Sequence, residues 1–227
     1  MNKELGKTLR LVAIILMGLT AAFTLLSGVG TSCVAFFIKR EYKFAFGALY
    51  DYRWLYQTFV FVTAFIGLVG IWATNQLVRR KRTAYRDAVI SLLLGVTISG
   101  IHYYASQTLR GEAAPTNIVF FTNVFTLLFF LLLKLPGIHD YINFTEPEDG
   151  ADIAGGLTAF ITGLFVITTA LWIGPSHMSQ GGENWVLVLQ LPLSAVSLVL
   201  IIGGLRNLIK EYLRQNAPEV SALNKEA

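Results

Sequence analysis

Long apolar segments separated by short charged connectors are the feature that most constrains the fold of this chain. A helix needs about 20 predominantly apolar residues to cross the roughly 30 Å hydrocarbon core of a bilayer. Segments of this kind recur along the whole sequence, and most charged residues fall between them. Only 14% of the residues are charged, against about 25% in a typical soluble domain. The pattern predicts an all-α, polytopic integral membrane protein.

Six segments are long enough, or nearly so, to span a membrane. Together they predict a bundle of six transmembrane helices that forms one domain, 1–209. The fourth segment reaches a workable length if Thr116 and Asn117 enter the interface. Residues 210–227 are predicted to form a polar cytoplasmic tail that is disordered toward its end. The spans lie roughly at 8–30, 54–78, 86–106, 116–134, 153–174 and 185–205.

The first apolar segment, 11–38, is longer than one span requires. Its roughly 28 residues would form a helix of about 42 Å at 1.5 Å per residue. Because Gly28 and Gly30 lie where the span should finish, we predict a bend or a protruding turn through "TSCVAFFI". The basic start and apolar middle are also typical of a signal peptide. The apolar run continues past Cys33, however, so we expect an uncleaved first span.

The distribution of Lys and Arg predicts the orientation of the spans. Thirteen of the 18 basic residues lie before the first span, between the second and third spans, after the fourth span or after the sixth. The positive-inside rule places these segments in the cytoplasm. Both termini are then cytoplasmic, in an inner or plasma membrane. Because these residues flank apolar spans, we expect no binding to nucleic acid. Those expected to anchor the chain to anionic lipid are Arg79, Arg80, Lys81 and Arg82.

Two connectors have distinctive compositions. The connector 39–54 combines basic and aromatic residues and is interpreted as an interfacial segment, with a substrate-gating loop as the alternative. The connector 137–152 carries five acidic residues. Its spacing does not match a calcium-binding EF-hand loop, so we interpret it as a solvated turn.

Small residues recur every four positions on the third and fifth predicted spans, a spacing that lets helix backbones approach closely in lipid. His102 and Ser106 share the same arc of the third span at 100° per residue. We therefore expect the third span to pack against another helix, with the fifth as the leading partner, and His102 to point inward. The two stripes are Ser91, Gly95 and Ser99, and Gly155, Ala159 and Gly163.

Polar side chains are more frequent in the predicted outer halves of the spans than in the inner halves. A buried polar side chain is costly in lipid unless it is paired, so each one is a candidate for a site. Asn, Gln, Ser and Thr also link helices, at about 0.6 kcal/mol each. If the bundle contains a pocket, it should open outward. Its candidate residues are His102, Cys33, Asn123, Gln190 and Gln57.

These residues match no catalytic or metal-binding sequence motif. A haem bound to His102 would need a second ligand, and His139 and His177 lie in predicted loops on opposite sides, which leaves Cys33. A Cys33–His102 nucleophile pair would need the two side chains within hydrogen-bonding distance. We expect no metal or cofactor, and we expect His102 to hydrogen-bond across helices or to interfacial water.

Three classes of function stay open. The leading class is a non-enzymatic membrane protein, either an accessory or scaffolding subunit that assembles with other membrane subunits or a passive facilitator for small solutes. The second is a membrane redox or haem-binding enzyme with an outward-facing site around His102. The third is a secondary transporter, for which no charged residue in the middle of a span supplies a coupling site.

Overall fold

The computed structural model describes residues 3–37, 47–138, 142, 144, 151–174 and 184–223. Over these residues the chain is helical and contains no β-strand, which confirms the all-α prediction. Short 3-10 helices at Gly47–Tyr52 and Trp185–Leu189 precede the second and seventh α-helices. The α-helices are α1 (Lys3–Phe36), α2 (Arg53–Val78), α3 (Ala84–Arg110), α4 (Thr116–Leu132), α5 (Ala151–Ile167), α6 (Thr169–Trp172) and α7 (Gln190–Leu223).

Four of the described helical segments are long and apolar enough to cross a membrane: Glu4–Phe36, Gly47–Val78, Ala84–Arg110 and Gln190–Arg214. α4 and α5 are also apolar but have 17 residues each, about 26 Å of helix at 1.5 Å per residue. Many large apolar side chains point away from the bundle, and Leu191 of α7 is 82% exposed. Apolar faces of this extent are compatible with a membrane location.

The helix boundaries agree with the predicted spans most closely for α2, α3 and α4, to within a few residues. The fifth predicted span is interrupted at Thr168, between α5 and α6. α7 continues through the predicted tail, 210–227, as far as Leu223, so the prediction of disorder toward the end of the tail is wrong over 216–223. Strong helix formers occupy the start of this segment, and Arg214 donates to the Glu211 carboxylate at 2.7 Å, one turn away.

α1 is a continuous helix, so the predicted bend near Gly28 and Gly30 is wrong. A β-carbon on Gly28 would come within 2.9 Å of the Ala64 backbone nitrogen in α2. A β-carbon on Gly67 would come within 2.7 Å of the Leu25 backbone in α1. These glycines therefore let two helices pack closely, and the helix has no reason to break at them.

The predicted pairing of the two small-residue stripes is also wrong, because α3 packs mainly against α2 and α4. Gly95 faces α4, where an added β-carbon would overlap the side-chain oxygen of Asn123. Ser91 faces Gly70 of α2. Ser99 is buried and donates to the Gly95 carbonyl within its own helix, at 2.6 Å. The stripe thus meets a polar side chain of α4 and a glycine of α2, and it does not meet α5.

The stripe on α5 faces two other helices, since α5 packs chiefly against α7 and α1. A β-carbon on Gly163 would come within 2.6 Å of Ile201 in α7. Gly155 instead faces Val78 of α2, and Ala159 is half-buried between these contacts in the helix. The residues Gly155, Ala159 and Gly163 therefore do not form one interface.

The two ends of the bundle are named here after a residue at each. The Arg80 end contains the start of α1, the α2–α3 turn and the end of α4, and the Arg110 end contains the α3–α4 turn. Arg79, Lys81 and Arg82 are exposed at the α2–α3 turn, whereas Arg80 is half-buried with a left-handed φ of 59°. The basic cluster therefore lies at one tip of the bundle.

The Arg80 end is filled by aromatic rings. Phe130 is fully buried, and its ring centroid lies 5.8 Å from that of Tyr85 and 6.4 Å from that of Phe144. The Tyr85 hydroxyl donates to the Phe130 carbonyl at 2.7 Å. Phe144 and Ile142 are buried although they belong to the connector interpreted as a solvated turn. The acidic residues that suggested that turn lie outside the described residues, apart from exposed Asp152.

A layer of hydrogen bonds closes the middle of the bundle between α1 and α4. The hydroxyls of Thr20 and Thr126 are 2.7 Å apart. The Asn123 side-chain amide donates to the Thr24 hydroxyl at 3.0 Å and to the Val119 carbonyl at 2.9 Å. All four of these side chains, Thr20, Thr24, Asn123 and Thr126, are buried. We call this group the middle layer.

Candidate functional site

A cavity of about 350 Å³ lies in the Arg110 half of the bundle, between the end of α1, the start of α4 and the α5–α6 junction. Its volume falls within the range of about 300–1,000 Å³ that is typical of small-molecule pockets. This half corresponds to the predicted outer leaflet, where the sequence predicts a pocket. The cavity is therefore the candidate functional site.

One wall of the cavity is polar and comes from α3 and the first turns of α2. His102, Ser106 and Arg110 line it at intervals of four residues, so they share one face of α3. Tyr56 of α2 completes this wall, with its hydroxyl 3.1 Å from the Ser106 hydroxyl. A hydrogen bond of this kind between two helices fixes the polar groups at the cavity surface.

The His102 ring is 3% exposed and is held by aromatic contacts. It stacks on Phe59 of α2, with centroids 4.3 Å apart and an interplanar angle of 20°, and meets the Tyr56 ring edge-on at 5.6 Å. Among the described residues it makes no hydrogen bond to another helix, so the hydrogen bond expected across helices is not seen. Ring stacking positions the imidazole instead.

Arg110 lies in the last turn of α3, where the cavity meets the end of the bundle. Its side chain is 11% exposed, and its guanidinium lies 3.9 Å from the carboxylate of the largely exposed Glu112. α3 ends directly after Arg110, because Gly111 adopts a left-handed φ of 74° and its N–H donates a hydrogen bond to the Gln107 carbonyl. Among the described residues that line the cavity, Arg110 alone carries a formal charge.

The opposite wall is aromatic. Phe23 of α1 meets Phe165 of α5 edge-on at 5.3 Å and Trp172 of α6 at 6.5 Å, and the last two rings are 6.2 Å apart. All three side chains line the cavity. The site is therefore amphipathic, with a basic and hydroxyl-bearing side facing an apolar side.

The cavity opens sideways between α4 and the α5–α6 segment. α4 and α5 both pack against α1, but they do not pack extensively against each other. Ile118 of α4, which is 53% exposed, and Phe165 and Trp172, each 41% exposed, line the cavity and also reach the outer surface of the bundle. The residues that border this opening are apolar.

Gly30 contributes an open stretch of the cavity wall. A glycine in the middle of a helix costs roughly 0.5–1 kcal/mol relative to alanine, and Gly28 offsets that cost by packing against α2. A β-carbon on Gly30 would meet no atom within 4 Å. Gly30 therefore keeps space free in the cavity and does not serve helix packing.

Of the five residues predicted to form the pocket, the structure brings only His102 to the cavity. Asn123 lies in the middle layer, and the Gln57 amide donates to the Ala35 carbonyl of α1 at 3.3 Å. Gln190 of α7 donates to the Ile167 carbonyl at 3.4 Å. These three side chains link helices, which is the alternative that the sequence analysis left open for Asn and Gln.

Cys33 lines a smaller void of about 30 Å³ that adjoins the cavity and shares Leu26, Gly30 and Ile173 with its lining, but Cys33 does not line the cavity itself. The structure therefore does not place its thiol and the His102 imidazole in one cavity. His139 and His177, the other histidines considered as haem ligands, lie outside the described residues. In the described part of the chain, no three His, Cys, Asp or Glu side chains are grouped as metal ligands.

Sequence reasoning missed Arg110 and Tyr56 as residues of the site. Arg110 is one of the five basic residues that the positive-inside count leaves on the outer side, and no sequence feature singled out Tyr56. The four-residue spacing from His102 through Ser106 to Arg110 was a signal that could have found Arg110. The contact between Tyr56 and Ser106 had no comparable signal, because it depends on how α2 and α3 face each other.

Comparisons of the chain with models of known protein families, with curated proteins and with solved structures found no match. The function is therefore argued from the geometry of the site.

Proposed function

We propose that this chain is a six-span integral membrane protein, with both termini in the cytoplasm, that binds a small molecule in the cavity at the Arg110 end. In this proposal it acts as a non-enzymatic binding or accessory subunit. The observation that carries the proposal is that the cavity ends within the bundle. It is open at the Arg110 half, and the middle layer and the aromatic filling of the Arg80 end lie beyond it.

The six-span arrangement rests on four long apolar helices and two shorter ones. The 17-residue helices α4 and α5 would span about 26 Å, and a bilayer adapts to a short span by local thinning at a modest cost. The exposed basic residues Arg79, Lys81 and Arg82 lie together at the Arg80 end. That placement supports a cytoplasmic location of this end and contact with anionic lipid.

A cavity closed at one end favours binding over passive transport. A facilitator needs a continuous path between the two sides, and the Thr20–Thr126 and Asn123–Thr24 contacts occupy the middle of the α1–α4 interface. The enzyme alternative depended on His102 acting with a second group, and His102 is held between the rings of Phe59 and Tyr56. Its position supports a structural role in the cavity wall.

Reporter fusions test the threading. A reporter after residue 81 is expected to be active on the cytoplasmic side, and one after Glu112 on the outer side. Fusions after 147 and at the C-terminus should report the cytoplasm, and one after 178 the outside. If the fusions after 81 and Glu112 report the same side, α3 does not cross the membrane and the proposal is wrong.

A cavity-filling variant tests the binding role. Gly30→Leu adds a side chain where the structure has open space, and Gly203→Leu on α7 is its control, because a β-carbon there also meets no atom within 4 Å. We expect a neutral amphiphile such as undecanol to raise the unfolding temperature of the wild type and of Gly203→Leu but not that of Gly30→Leu. Equal effects in all three proteins would contradict a binding role for the cavity. Glycerol flux through the wild type in liposomes, abolished by Gly30→Leu, would favour the facilitator.

A further inference from the structure

We propose that the cavity takes a single-chain amphiphile with an anionic head, which enters from the bilayer through the opening between α4 and the α5–α6 segment. Arg110 binds the head and the aromatic wall holds the chain. This inference rests on the proposed function, because it names the class of ligand for the same cavity.

Arg110 determines which charge the head group of the ligand should carry. Among the described lining residues it alone carries a formal charge, and its side chain is largely withdrawn from solvent in the last turn of α3. A guanidinium presents a planar set of donors that matches carboxylate, phosphate and sulfate oxygens. Ser106, one turn further into the cavity, adds a hydroxyl on the same face of α3. A cationic head would meet repulsion at this position.

The shape of the rest of the ligand follows from the opposite wall. Phe23, Phe165 and Trp172 pack edge-to-face and present ring edges and faces to the cavity. A chain that comes from lipid gains mainly from close packing against such rings. The cavity of about 350 Å³ fits a ligand of single-chain size, within the common range of about 300–1,000 Å³ for small-molecule pockets.

The route of entry follows from the residues that border the opening. Ile118, Phe165 and Trp172 are apolar, partly exposed and part of the cavity lining. An opening bordered in this way, on the side of a membrane helix bundle, faces hydrocarbon. An amphiphile in the adjoining leaflet would slide its chain between α4 and α5–α6 while its head stays at the level of Arg110.

Single-tryptophan fluorescence tests this inference. With Trp54, Trp72 and Trp185 replaced by Phe, Trp172 remains as a reporter in the cavity wall. The protein is placed in phosphatidylcholine nanodiscs, and ω-bromoundecyl sulfate or the neutral ω-bromoundecanol is added as a quencher. We expect Trp172 quenching to saturate at a mole fraction that is about tenfold lower for the sulfate than for the alcohol. The reason is that a hydrogen bond to a charged group raises the binding affinity by about this factor.

Four comparisons isolate the cavity. A protein that keeps only Trp54, which is exposed at the same end of the bundle, should report non-saturating quenching from bulk lipid by both probes. Arg110→Gln should remove the preference for the sulfate, and Arg110→Lys should retain part of it. Arg53→Gln removes a charge from the same end, where its guanidinium lies over the Tyr50 ring, and should leave the preference unchanged. Methyl sulfate, which shares the head but lacks the chain, should not relieve the quenching.

The outcomes separate this inference from the proposed function. Saturable quenching that is lost in Gly30→Leu, together with a preference for the sulfate that is lost in Arg110→Gln, supports both. Saturable quenching that is lost in Gly30→Leu but is equal for the sulfate and the alcohol overturns the anionic head and leaves the binding role standing. Relief of quenching by methyl sulfate overturns the requirement for a chain. Quenching that never saturates and is unaffected by Gly30→Leu overturns both proposals.

Discussion

The two ends of this bundle are built from the same helices but are packed in opposite ways. At the Arg80 end, the Phe130, Tyr85 and Phe144 rings fill the space between helices, and residues from a connector help to close it. At the Arg110 end the helices surround a cavity of about 350 Å³, where Gly30 contributes no side chain. At the Arg110 end the rings line the wall of the cavity and do not fill it, and they leave space beside a partly buried guanidinium and hydroxyls. The difference is the reason for proposing that the hollow end binds a ligand, while the packed end stabilises the fold.

The largest effect is expected when cysteines are introduced at two buried serine positions and their accessibility to a thiol reagent is compared. Ser106 and Ser99 are both buried on one face of α3, but only Ser106 lines the cavity. In a Cys33→Ala background, we expect a small methanethiosulfonate reagent to modify Ser106→Cys rapidly and to leave Ser99→Cys unmodified in the folded protein. Mass spectrometry against time measures both rates. Equal rates would mean that the cavity is no more accessible than the packed part of α3 next to it.

The packed end predicts a large loss of stability from a single truncation. Phe130→Ala removes a ring that is fully buried between Tyr85 and Phe144, and we expect it to lower the free energy of unfolding by about 3–5 kcal/mol. Phe125→Ala on the same helix is the control, because Phe125 is 60% exposed. Unfolding of the detergent-solubilised protein by a denaturing detergent measures both. A comparable loss in the two variants would contradict tight packing at the Arg80 end.

Close packing between α3 and α4 begins next to the cavity, at the contact between Gly95 and Asn123. Gly95→Ala places a β-carbon on the Asn123 side-chain oxygen, and we expect a loss of about 1–3 kcal/mol in the free energy of unfolding. Gly203→Ala on α7 has open space around it and should gain roughly 0.5–1 kcal/mol by improving the helix. Thermal unfolding of both variants gives the sign. A neutral Gly95→Ala would show that α3 and α4 do not pack closely at this point.

The middle layer predicts the smallest effect. A double-mutant cycle of Thr24→Val and Asn123→Ala should give a coupling energy of about 0.6 kcal/mol, with about 1.7 as the upper value for such bonds in a membrane bundle. Thr122→Val is the control, because the Thr122 hydroxyl donates only to the Ile118 carbonyl of its own helix among the described residues. We expect no coupling between Thr122 and Thr24. A coupling energy of zero between Thr24 and Asn123 would show that their hydrogen bond does not stabilise the middle layer.

The fold could be predicted from the sequence to a large extent because apolar length and helix length are local properties. The boundaries of α2, α3 and α4 follow from where apolar runs meet Arg53, the "RRKR" turn and Gly111. The pairing of helices could not be predicted, because a glycine spacing indicates close approach without naming the partner. Gly95 accepts the side chain of Asn123, a residue that sequence reasoning had assigned to a pocket.

The candidate site was predicted only in its location and in one of its residues. Polarity along the spans indicated the half of the bundle that holds the cavity, and His102 was selected correctly as a residue that points inward. Gln57, Asn123 and Gln190 have the same side-chain chemistry as pocket residues, yet they bond to neighbouring helices. Whether an amide lines a cavity or links two helices depends on the distance to the next helix, which composition does not encode.

The sequence by itself determined that the chain forms apolar helices, that basic residues collect at alternate turns, and that polar groups concentrate toward one end. Those properties follow from each residue's own transfer energy and from the 3.6-residue period. Only the tertiary structure decided that Gly30 faces open space while Gly28 lies against Ala64, and that Arg110 ends α3 beside an aromatic wall. A cavity exists where helices fail to meet, and that is a property of several segments together and of none of them alone.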